Sequence, residues 1–355
     1  MSAATDTSTA AASSRSLARF AWGVLAYNLL VIAWGAFVRA SRSGAGCGAH
    51  WPLCNGEGFP ELKSRATIIE MTHRVTSGLA LALVFALMVW TLRSLPRGHR
   101  ARRASIASSV FVLGEALIGA GLVLFELVAH DASMKRGLSM ILHLGNTFLL
   151  LGALTVTAWT ITTELGPPPA REPARPGVRW LVLGSLGAVL FLGSSGAIAA
   201  LGDTLFPAAS LREGFAQDLS PLAHVFLRLR MFHPFIALGT GALIFGVANI
   251  VRVARPSPKV RTFSRLVALT FATQFAIGLI NVTLLAPVPM QIVHLLMADA
   301  MWIALVLMGW EALYAVPKVA QIRGRNPSQS PIMSRKGPAP MSDVPPSTSN
   351  VDPVT

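Results

Sequence analysis

Eight apolar stretches, each long enough to cross a lipid bilayer, restrict the fold of this sequence more than any other feature. A membrane-spanning helix needs about 20 mostly apolar residues, and every stretch meets that length. Pro287 and Pro289 separate the last two stretches, because proline cannot continue a helix and restricts the residue before it. The sequence therefore predicts an all-α polytopic membrane protein with eight transmembrane helices. The stretches cover residues 20–38, 68–92, 104–127, 137–163, 180–201, 229–251, 266–286 and 290–313.

The composition agrees with a membrane protein and excludes an ordinary soluble enzyme. Hydrophobic residues make up 53% of the chain and charged residues only 13%, with a mean hydropathy of +0.56. Soluble globular proteins carry about 25% charged residues. The net charge of +14 comes from short basic clusters between the apolar stretches, as in membrane proteins. We therefore predict membrane lipid as the surroundings and no nucleic-acid partner.

The distribution of Lys and Arg predicts the orientation in the membrane. Of the 30 basic residues, 20 lie in segments that are cytoplasmic if the N-terminus is cytoplasmic. Short cytoplasmic loops carry an excess of such residues, so both termini are predicted inside. The predicted location is the bacterial inner membrane, with the mitochondrial inner membrane as the alternative.

A weak internal repeat predicts two tandem four-helix bundles. The third stretch contains Glu115-Ala-Leu-Ile-Gly119 and the seventh contains Gln274-Phe-Ala-Ile-Gly278. Each half also carries one histidine in its second stretch and one in its fourth, as expected for parallel repeats. The predicted organisation is a cytoplasmic tail at 1–19, a first bundle at 20–165, a proline-rich linker at 166–178, a second bundle at 179–316 and a disordered tail at 317–355.

Four of the eight histidines lie inside apolar stretches at a similar depth on the outer side. They are His73 and His143 in the first half, and His233 and His294 in the second. Each is roughly 6–10 Å from the outer end of its helix. Ionisable residues inside a bilayer are costly and usually functional, which favours a functional site over simple packing.

Metal coordination is the function that these histidines favour. No cysteines or carboxylates accompany them at zinc spacing, so the sequence disfavours a structural zinc site. Two imidazoles from different helices of a bundle suit the two axial positions of a haem. We therefore predict two haem sites near the outer face, one in each half.

Both cysteines of the chain, Cys47 and Cys54, lie in the first outer loop. The bacterial outer compartment is oxidising, which favours a disulfide between them over two free thiols. A disulfide there would hold a lid over the first haem site or exchange electrons, and the sequence does not choose between these roles.

Glu70 and His73 are three residues apart and so share one helix face. A carboxylate one turn from a haem ligand would act on a substrate or orient the imidazole. An interfacial ion pair with Arg74 is the alternative. The second half has Arg230 three residues before His233, and this asymmetry indicates one reactive half and one supporting half.

Other polar residues receive less specific predictions. His99, in a basic loop, is expected to be solvated. Interhelical hydrogen bonds are expected for Glu115, Gln274, Asn281 and Asp299. Cations on the outer side are candidates for binding haem propionates. These cations are Arg39, Arg74, Lys135, Arg228 and Arg230.

The first loop and the helix after it resemble the haem A synthase family. The matching residues are Arg-x-Ser-x-Ser-Gly-x-Gly-Cys at 39–47, Trp-Pro-Leu-Cys-Asn-Gly at 51–56 and Glu70-x-x-His73-Arg74. The eight helices and four helical histidines match as well, over residues 20–315. The chain departs at Gly48-Ala49-His50, where many members have an acidic residue, and at Pro234. These departures bear on loop contacts more than on function.

The resemblance implies an enzyme, a membrane haem-dependent oxidoreductase that oxidises a methyl group of haem O to the formyl group of haem A for terminal oxidase assembly. His73 and His143 would hold the substrate haem O, and His233 and His294 a haem b cofactor. Glu70 would be the catalytic carboxylate, and the two cysteines would form the loop disulfide. A haem O synthase and an electron acceptor that the sequence does not identify are the expected partners.

Two other classes of protein are alternatives to the synthase interpretation. A di-haem electron carrier with bis-histidine ligation explains the histidines, but it leaves Glu70 and the cysteine loop unexplained. A transporter explains the polar helix residues and predicts no bound haem. Within the synthase reading, two histidine ligands leave no open iron position for oxygen. Either one ligand leaves the iron, or oxidation proceeds at the ring edge with electrons removed through the haem. We favour the second alternative, in which Glu70 would stabilise developing positive charge or deliver a water.

Overall fold

The computed structural model describes residues 2–58, 61, 64–164 and 172–315, with side chains from residue 15 onward except those of residues 172 and 315. The predicted disordered tail at 317–355 and residues 166–171 of the predicted linker at 166–178 lie outside these residues. A two-residue pairing joins β1 (Glu172–Pro173) to β2 (Tyr314–Ala315). The helices are α1 (Ser2–Ala40), α2 (Arg65–Ser94), α3 (Arg100–Leu124), α4 (Met134–Thr163), α5 (Pro176–Leu205), α6 (Leu211–Leu219), α7 (Val225–Arg230), α8 (His233–Ala254), α9 (Pro258–Thr283) and α10 (Val288–Leu313).

Eight segments of the described chain are long and apolar enough to cross a membrane, which confirms the predicted all-α polytopic fold. Seven are single helices, and the eighth, Val225–Ala254, combines α7 and α8. Large apolar side chains point outward from them, as Val110 and Leu117 of α3 do at 61% and 60% exposure. Such side chains suit contact with lipid. Helix α1 begins at Ser2, so it includes most of the predicted N-terminal tail.

Serine caps and prolines set where the helices begin. The hydroxyl of Ser64 accepts a hydrogen bond from the N–H of Thr67 at the start of α2, and Ser257 does the same for Val260 at the start of α9. Such caps satisfy backbone donors that have no partner within the helix. Pro287 and Pro289 flank the first residue of α10. The predicted separation of the last two spans is therefore confirmed.

A break at Met231 and Phe232 divides the sixth span into α7 and α8. Pro234 lies just after it, in the first turn of α8. A proline inside a helix has no N–H to donate and its ring clashes with the carbonyl four residues earlier, here that of Arg230. The break therefore follows from Pro234, and it makes His233 the first residue of a new helix.

The long helices pack around one continuous core. Each of helices α1 to α4 packs against the next one along the chain, and α4 also packs against α1. Helices α5, α8, α9 and α10 form the same kind of ring, because each packs against the next and α10 also packs against α5. Helix α4 also packs on α10, where Phe148 stacks on Trp302 with ring centres 5.2 Å apart. The Nε1–H of Trp302 donates to the carbonyl oxygen of Phe148 at 2.6 Å. Because one core includes residues of both halves, the division into two tandem bundles stays a prediction.

The expectation of a solvated His99 is wrong. Its side chain is only 1% exposed, and its Nδ1 accepts a hydrogen bond from the N–H of Ala101 at the start of α3. Its Nε2 lies 3.1 Å from the carbonyl oxygen of Glu164, at the end of α4. The basic residues around His99 suggested a solvated loop, but this histidine caps α3 and contacts the C-terminal end of α4.

Candidate haem and loop site

The loop between α1 and α2 is closed by a disulfide between Cys47 and Cys54, as predicted. Both cysteines are fully buried. The N–H of Asn55 donates to the carbonyl oxygen of Cys47, and Cys54 and Glu57 exchange backbone hydrogen bonds. The loop is therefore a compact unit with its sulfur atoms inside.

This loop is fixed to the first two turns of α2. The backbone N–H of Cys47 donates to Oε2 of Glu70 at 2.8 Å, and Oγ1 of Thr67 donates to the carbonyl oxygen of Gly46 at 2.8 Å. A Cβ on Gly46 would lie 2.3 Å from the carbonyl carbon of Ala66, so only glycine fits there. The loop is therefore packed closely against the N-terminal end of α2.

Glu70 has partners on both oxygens of its carboxylate. Oε2 accepts from Cys47, and Oε1 accepts from Nη2 and Nε of Arg74 at 2.5 and 3.2 Å. Arg74 also donates through Nη1 to the carbonyl oxygens of His50 and Leu53, each at 2.6 Å. The Glu70 side chain is 3% exposed. The sequence offered a catalytic carboxylate or an ion pair with Arg74, and the structure places that ion pair one turn from His73.

Each of the four helical histidines faces a glycine of a neighbouring helix. A Cβ on Gly35 of α1 would come 2.9 Å from Cε1 of His73, and one on Gly278 of α9 would come 2.9 Å from Cε1 of His294. The same construction gives 3.1 Å from Gly196 of α5 to Cε1 of His233, and 3.9 Å from Gly119 of α3 to Nε2 of His143. Small residues let helices approach closely. Here the four glycines leave room for the imidazole rings. The sequence analysis did not predict this role for them.

His143 contacts a carboxylate in the first half. Its Nδ1 lies 2.7 Å from Oε2 of Glu115 on α3, at an angle that departs from a straight N–H···O bond. Glu115 also accepts from Asn146 Nδ2 at 2.6 Å and from Thr147 Oγ1 at 3.1 Å. The interhelical hydrogen bonds predicted for Glu115 are therefore present.

His233 and His294 face each other in the second half. Their ring centres are 6.5 Å apart, and the ring planes are inclined at 82°. The Nδ1 of His233 lies 2.8 Å from Oγ of Ser195 on α5. Nε2 of Gln274 lies 3.2 Å from Nε2 of His294, an interhelical contact of the kind predicted. Nδ1 of His294 has no hydrogen-bond partner among the described residues.

This arrangement fits a haem between His233 and His294. A metal–imidazole bond of about 2.0 Å, with ~1.2 Å from nitrogen to ring centre, puts two axial rings roughly 6.4 Å apart. The observed 6.5 Å agrees with that separation. In addition, Ser195 occupies Nδ1 of His233 and leaves Nε2 as the nitrogen that would bind a metal. The residues present therefore suit a bis-histidine haem.

Arg39 and Arg74, two of the five cations predicted as candidates for binding propionates, have partners within the protein. Arg39 Nη1 donates to Ala200 O and Thr204 Oγ1 at 2.8 and 2.9 Å, and its Nη2 donates to Gln291 Oε1 at 2.9 Å. Arg39 thus ties α1 to α5 and α10, while Arg74 is bound to Glu70 and the loop. A propionate contact for either residue stays a prediction.

Among the remaining candidates, Arg230 pairs with two carboxylates of the second half. Its Nη1 lies 2.9 Å from Asp203 Oδ1, and its Nε lies 2.8 Å from Asp218 Oδ1. Asp218 belongs to α6, a short helix that the sequence analysis did not predict. The interhelical bonds expected for Asn281 and Asp299 do not form within the described residues, since Asn281 Oδ1 and both Asp299 carboxylate oxygens have no partner there.

The fold and site define a polytopic membrane protein with paired histidines on its transmembrane helices and a disulfide loop docked beside one of them. Residues 18–306 match the family COX15-CtaA, described as cytochrome oxidase assembly protein. Because that match covers most of the chain, this protein belongs to the cytochrome oxidase assembly protein family.

Individual relatives carry two different names. A protein of Thermus thermophilus named protoheme IX farnesyltransferase is 46% identical over 297 residues, which are 84% of this chain and 48% of that protein. A heme A synthase of Symbiobacterium thermophilum is 35% identical over 159 residues, 45% of this chain and 51% of that protein. One from Bacillus licheniformis is 40% identical over 113 residues, 32% of this chain and 37% of that protein. The chain thus spans about half the length, or less, of these relatives.

Proposed function

We propose that this protein is a haem A synthase, an enzyme that oxidises a methyl group of haem O to a formyl group and so produces haem A for terminal oxidase assembly. The conversion adds one oxygen atom, which water can supply, and releases four electrons and four protons per methyl group. Family membership and the relatives named heme A synthase support a role in this chemistry.

The observation that carries the proposal is the 6.5 Å separation of the His233 and His294 rings, which suits one iron between two imidazoles. These two residues would hold a haem b cofactor, His233 through its Nε2 and His294 through its Nε2 in place of the contact that this atom makes with Gln274. When bound, haem b would supply one-electron exchange. Ser195 would fix the tautomer of His233 through its contact with Nδ1.

The substrate haem O would bind between His73 and His143 in the first half. Gly35 and Gly119 leave space beside these rings, and Glu115 contacts Nδ1 of His143. The docked disulfide loop would then shield the outer side of the substrate. Of the two halves, only the first places a carboxylate, Glu70, one helical turn from a candidate haem ligand, which supports the first half as the reactive one.

Glu70 would act by its negative charge. Both of its oxygens accept hydrogen bonds, one from Arg74 and one from the Cys47 N–H, and these donors hold the carboxylate in place. A fixed carboxylate stabilises positive charge that develops nearby, and it does so strongly in a site that excludes water. We therefore assign Glu70 to charge stabilisation at the substrate ring edge.

A haem-farnesylating enzyme is the proposed partner. The Thermus thermophilus relative, whose name describes such an enzyme, matches this chain over about half of its own length. An enzyme that farnesylates protohaem would produce the substrate that this chain consumes. The proposed location is the bacterial inner membrane with both termini cytoplasmic, as the basic residues predict.

The test is to purify the full chain from cells that co-express a haem O synthase, extract the bound haems and identify them by mass. We expect haem b together with haem O, haem A or a hydroxylated intermediate. The H233A/H294A variant should lose haem b, and H73A/H143A should lose the farnesylated haem.

Three outcomes would contradict the proposal. Two equivalents of haem b, with no farnesylated haem, would identify an electron carrier. Complete absence of haem would favour transport or a packing role for the histidines. Formation of haem O from protohaem and farnesyl diphosphate by this chain alone would show that the farnesyltransferase name applies to the matched segment itself.

A further inference from the structure

The Nδ1 atoms of the four histidines have different partners in the two halves. In the first half, Nδ1 of His143 meets the carboxylate of Glu115 at 2.7 Å. In the second half, Nδ1 of His233 meets the neutral hydroxyl of Ser195 at 2.8 Å. Nδ1 of His73, of His143 and of His294 makes no aligned hydrogen bond within the described residues, and of these three atoms it is Nδ1 of His143 that lies in contact with a carboxylate oxygen. One imidazole of each pair is therefore supported, by a carboxylate in the first half and by a hydroxyl in the second.

Glu115 is held toward His143 by its surroundings. Asn146 Nδ2 donates to Oε1 at 2.6 Å, and Thr147 Oγ1 donates to Oε2 at 3.1 Å. The same Asn146 amide is anchored by the carbonyl oxygen of Phe111 at 2.8 Å. Gly114 admits the Asn146 side chain, because a Cβ there would lie 2.9 Å from its Oδ1. Two donors thus converge on this carboxylate and hold it against the His143 imidazole.

The repeat places a neutral amide where the first half has this acid. Glu115 and Gln274 each precede by four residues a glycine that faces a histidine, namely Gly119 and Gly278. Gln274 lies against Nε2 of His294 rather than Nδ1. The second half therefore has no counterpart of the carboxylate–imidazole contact among the described residues.

A carboxylate on the far nitrogen of a metal-bound imidazole makes that imidazole a more basic ligand and fixes its tautomer. Hydrogen bonding to axial ligands is one of the means by which proteins set the reduction potential of a haem. A more basic ligand stabilises the ferric form over the ferrous form. A neutral hydroxyl acts in the same direction but more weakly.

We propose that Glu115 is a positioning residue that makes His143 the more strongly donating axial ligand and so gives the first-half haem a lower reduction potential than the second-half haem. The inference rests on the two haem sites of the proposed function. It adds that the two sites differ in ligand strength, and it names the residue responsible.

The experiment measures reduction potentials with protohaem as the probe. The full chain is purified, loaded with protohaem and titrated spectroelectrochemically, and H143A identifies the first-half transition. We expect E115Q to raise the potential of that transition and leave the other unchanged. E115D, which keeps the charge, should lie closer to wild type than E115Q does. S195D, which places a carboxylate near His233, should lower the potential of the second transition, and S195A should shift it slightly upward.

Two results would overturn the inference. One is an unchanged first transition in E115Q with the haem retained, and the other is an equal shift in E115D and E115Q. If E115Q does not retain the first-half haem, the S195D variant is the deciding test. An unchanged reduction potential of the second-half haem in S195D would refute the idea that a carboxylate near the ligand lowers the potential in this protein. Failure of the synthase activity is recognised separately, since these potentials do not depend on haem A formation. If the wild-type chain takes up no protohaem, the two-site proposal fails and the inference fails with it.

Discussion

The backbone N–H of Cys47 donates a 2.8 Å hydrogen bond to Oε2 of Glu70, so the disulfide loop and the helix that carries His73 share one buried carboxylate. This contact gives Glu70 a role in holding the loop, which can be separated from its proposed role in acting on a bound haem. Variants that weaken the docking of the loop and variants that remove the charge of Glu70 should therefore have different effects on haem oxidation.

Replacing Glu70 with Gln should stall haem O oxidation without abolishing haem binding. The amide keeps the shape of the side chain but loses the charge, and a loss on the order of 100-fold in turnover is expected for a removed electrostatic group. Haem A formation and haem content are the measurements. T67V is the matched control, because it removes the hydrogen bonds of this hydroxyl to Gly46 O and Ser64 Oγ and leaves the charge of Glu70 in place. Equal loss of turnover in T67V and E70Q would assign Glu70 to loop docking alone, and loss of bound haem in E70Q would contradict the charge role.

Alanine at the glycines that face the histidines should reduce haem occupancy in the corresponding half. In G35A and G278A the new methyl group would come 2.9 Å from an imidazole carbon, so the ring must move. Overpacking of this kind costs about 1–3 kcal/mol. Haem content per chain, read from the absorption spectrum, is the measurement. G78A and G239A are controls on α2 and α8, where a Cβ meets nothing within 4 Å. Equal haem loss in controls and test variants would disprove the steric explanation.

Replacing Arg39 with Ala should destabilise the protein even without haem. Its guanidinium bonds to Ala200, Thr204 and Gln291, and the loss of such charged hydrogen bonds costs about 2–4 kcal/mol in total. The melting temperature of haem-free protein in detergent is the measurement. R228A is the control, because Arg228 makes an exposed contact with the carbonyl of Pro221. An unchanged melting temperature in R39A, with weaker haem binding, would instead favour the propionate role.

Removing the disulfide with C47S/C54S should impair the first half and spare the second. The bridge closes a short loop, and its loss costs about 2–3 kcal/mol in the chain-entropy picture. The loop is docked on α2, whereas His233 and His294 lie on α8 and α10. We expect haem O oxidation to fall while the haem b spectrum persists. Loss of both haems would show that the loop supports the whole fold.

Sequence reasoning recovered the helices well because length and hydropathy alone decide which segments can span a bilayer. It also found the four histidines and the cysteine pair, whose chemistry stands out against apolar surroundings. It did not find the cap and tether formed by His99, since a basic loop gives no sign of where it folds back.

The partners of charged residues were the hardest part to predict. Arg39 was expected to bind a propionate, but the carbonyl and amide oxygens that it contacts lie more than 150 residues away in the chain, and local patterns do not reveal such contacts. Glu115 was recognised as a source of interhelical hydrogen bonds. Its contact with His143 depends on the rotation of α3 against α4, and the sequence fixes that rotation only through packing.

The stacking of Phe148 on Trp302 has a consequence for how the chain can be divided. Each ring belongs to a different half, and Trp302 also donates to the backbone of Phe148. A half expressed alone would present this aromatic surface to lipid or to another protein. If the chain is expressed as two fragments that are divided between α4 and α5, the fragments should therefore be purified together as a noncovalent complex. Each fragment would then cover the apolar surface that the other exposes.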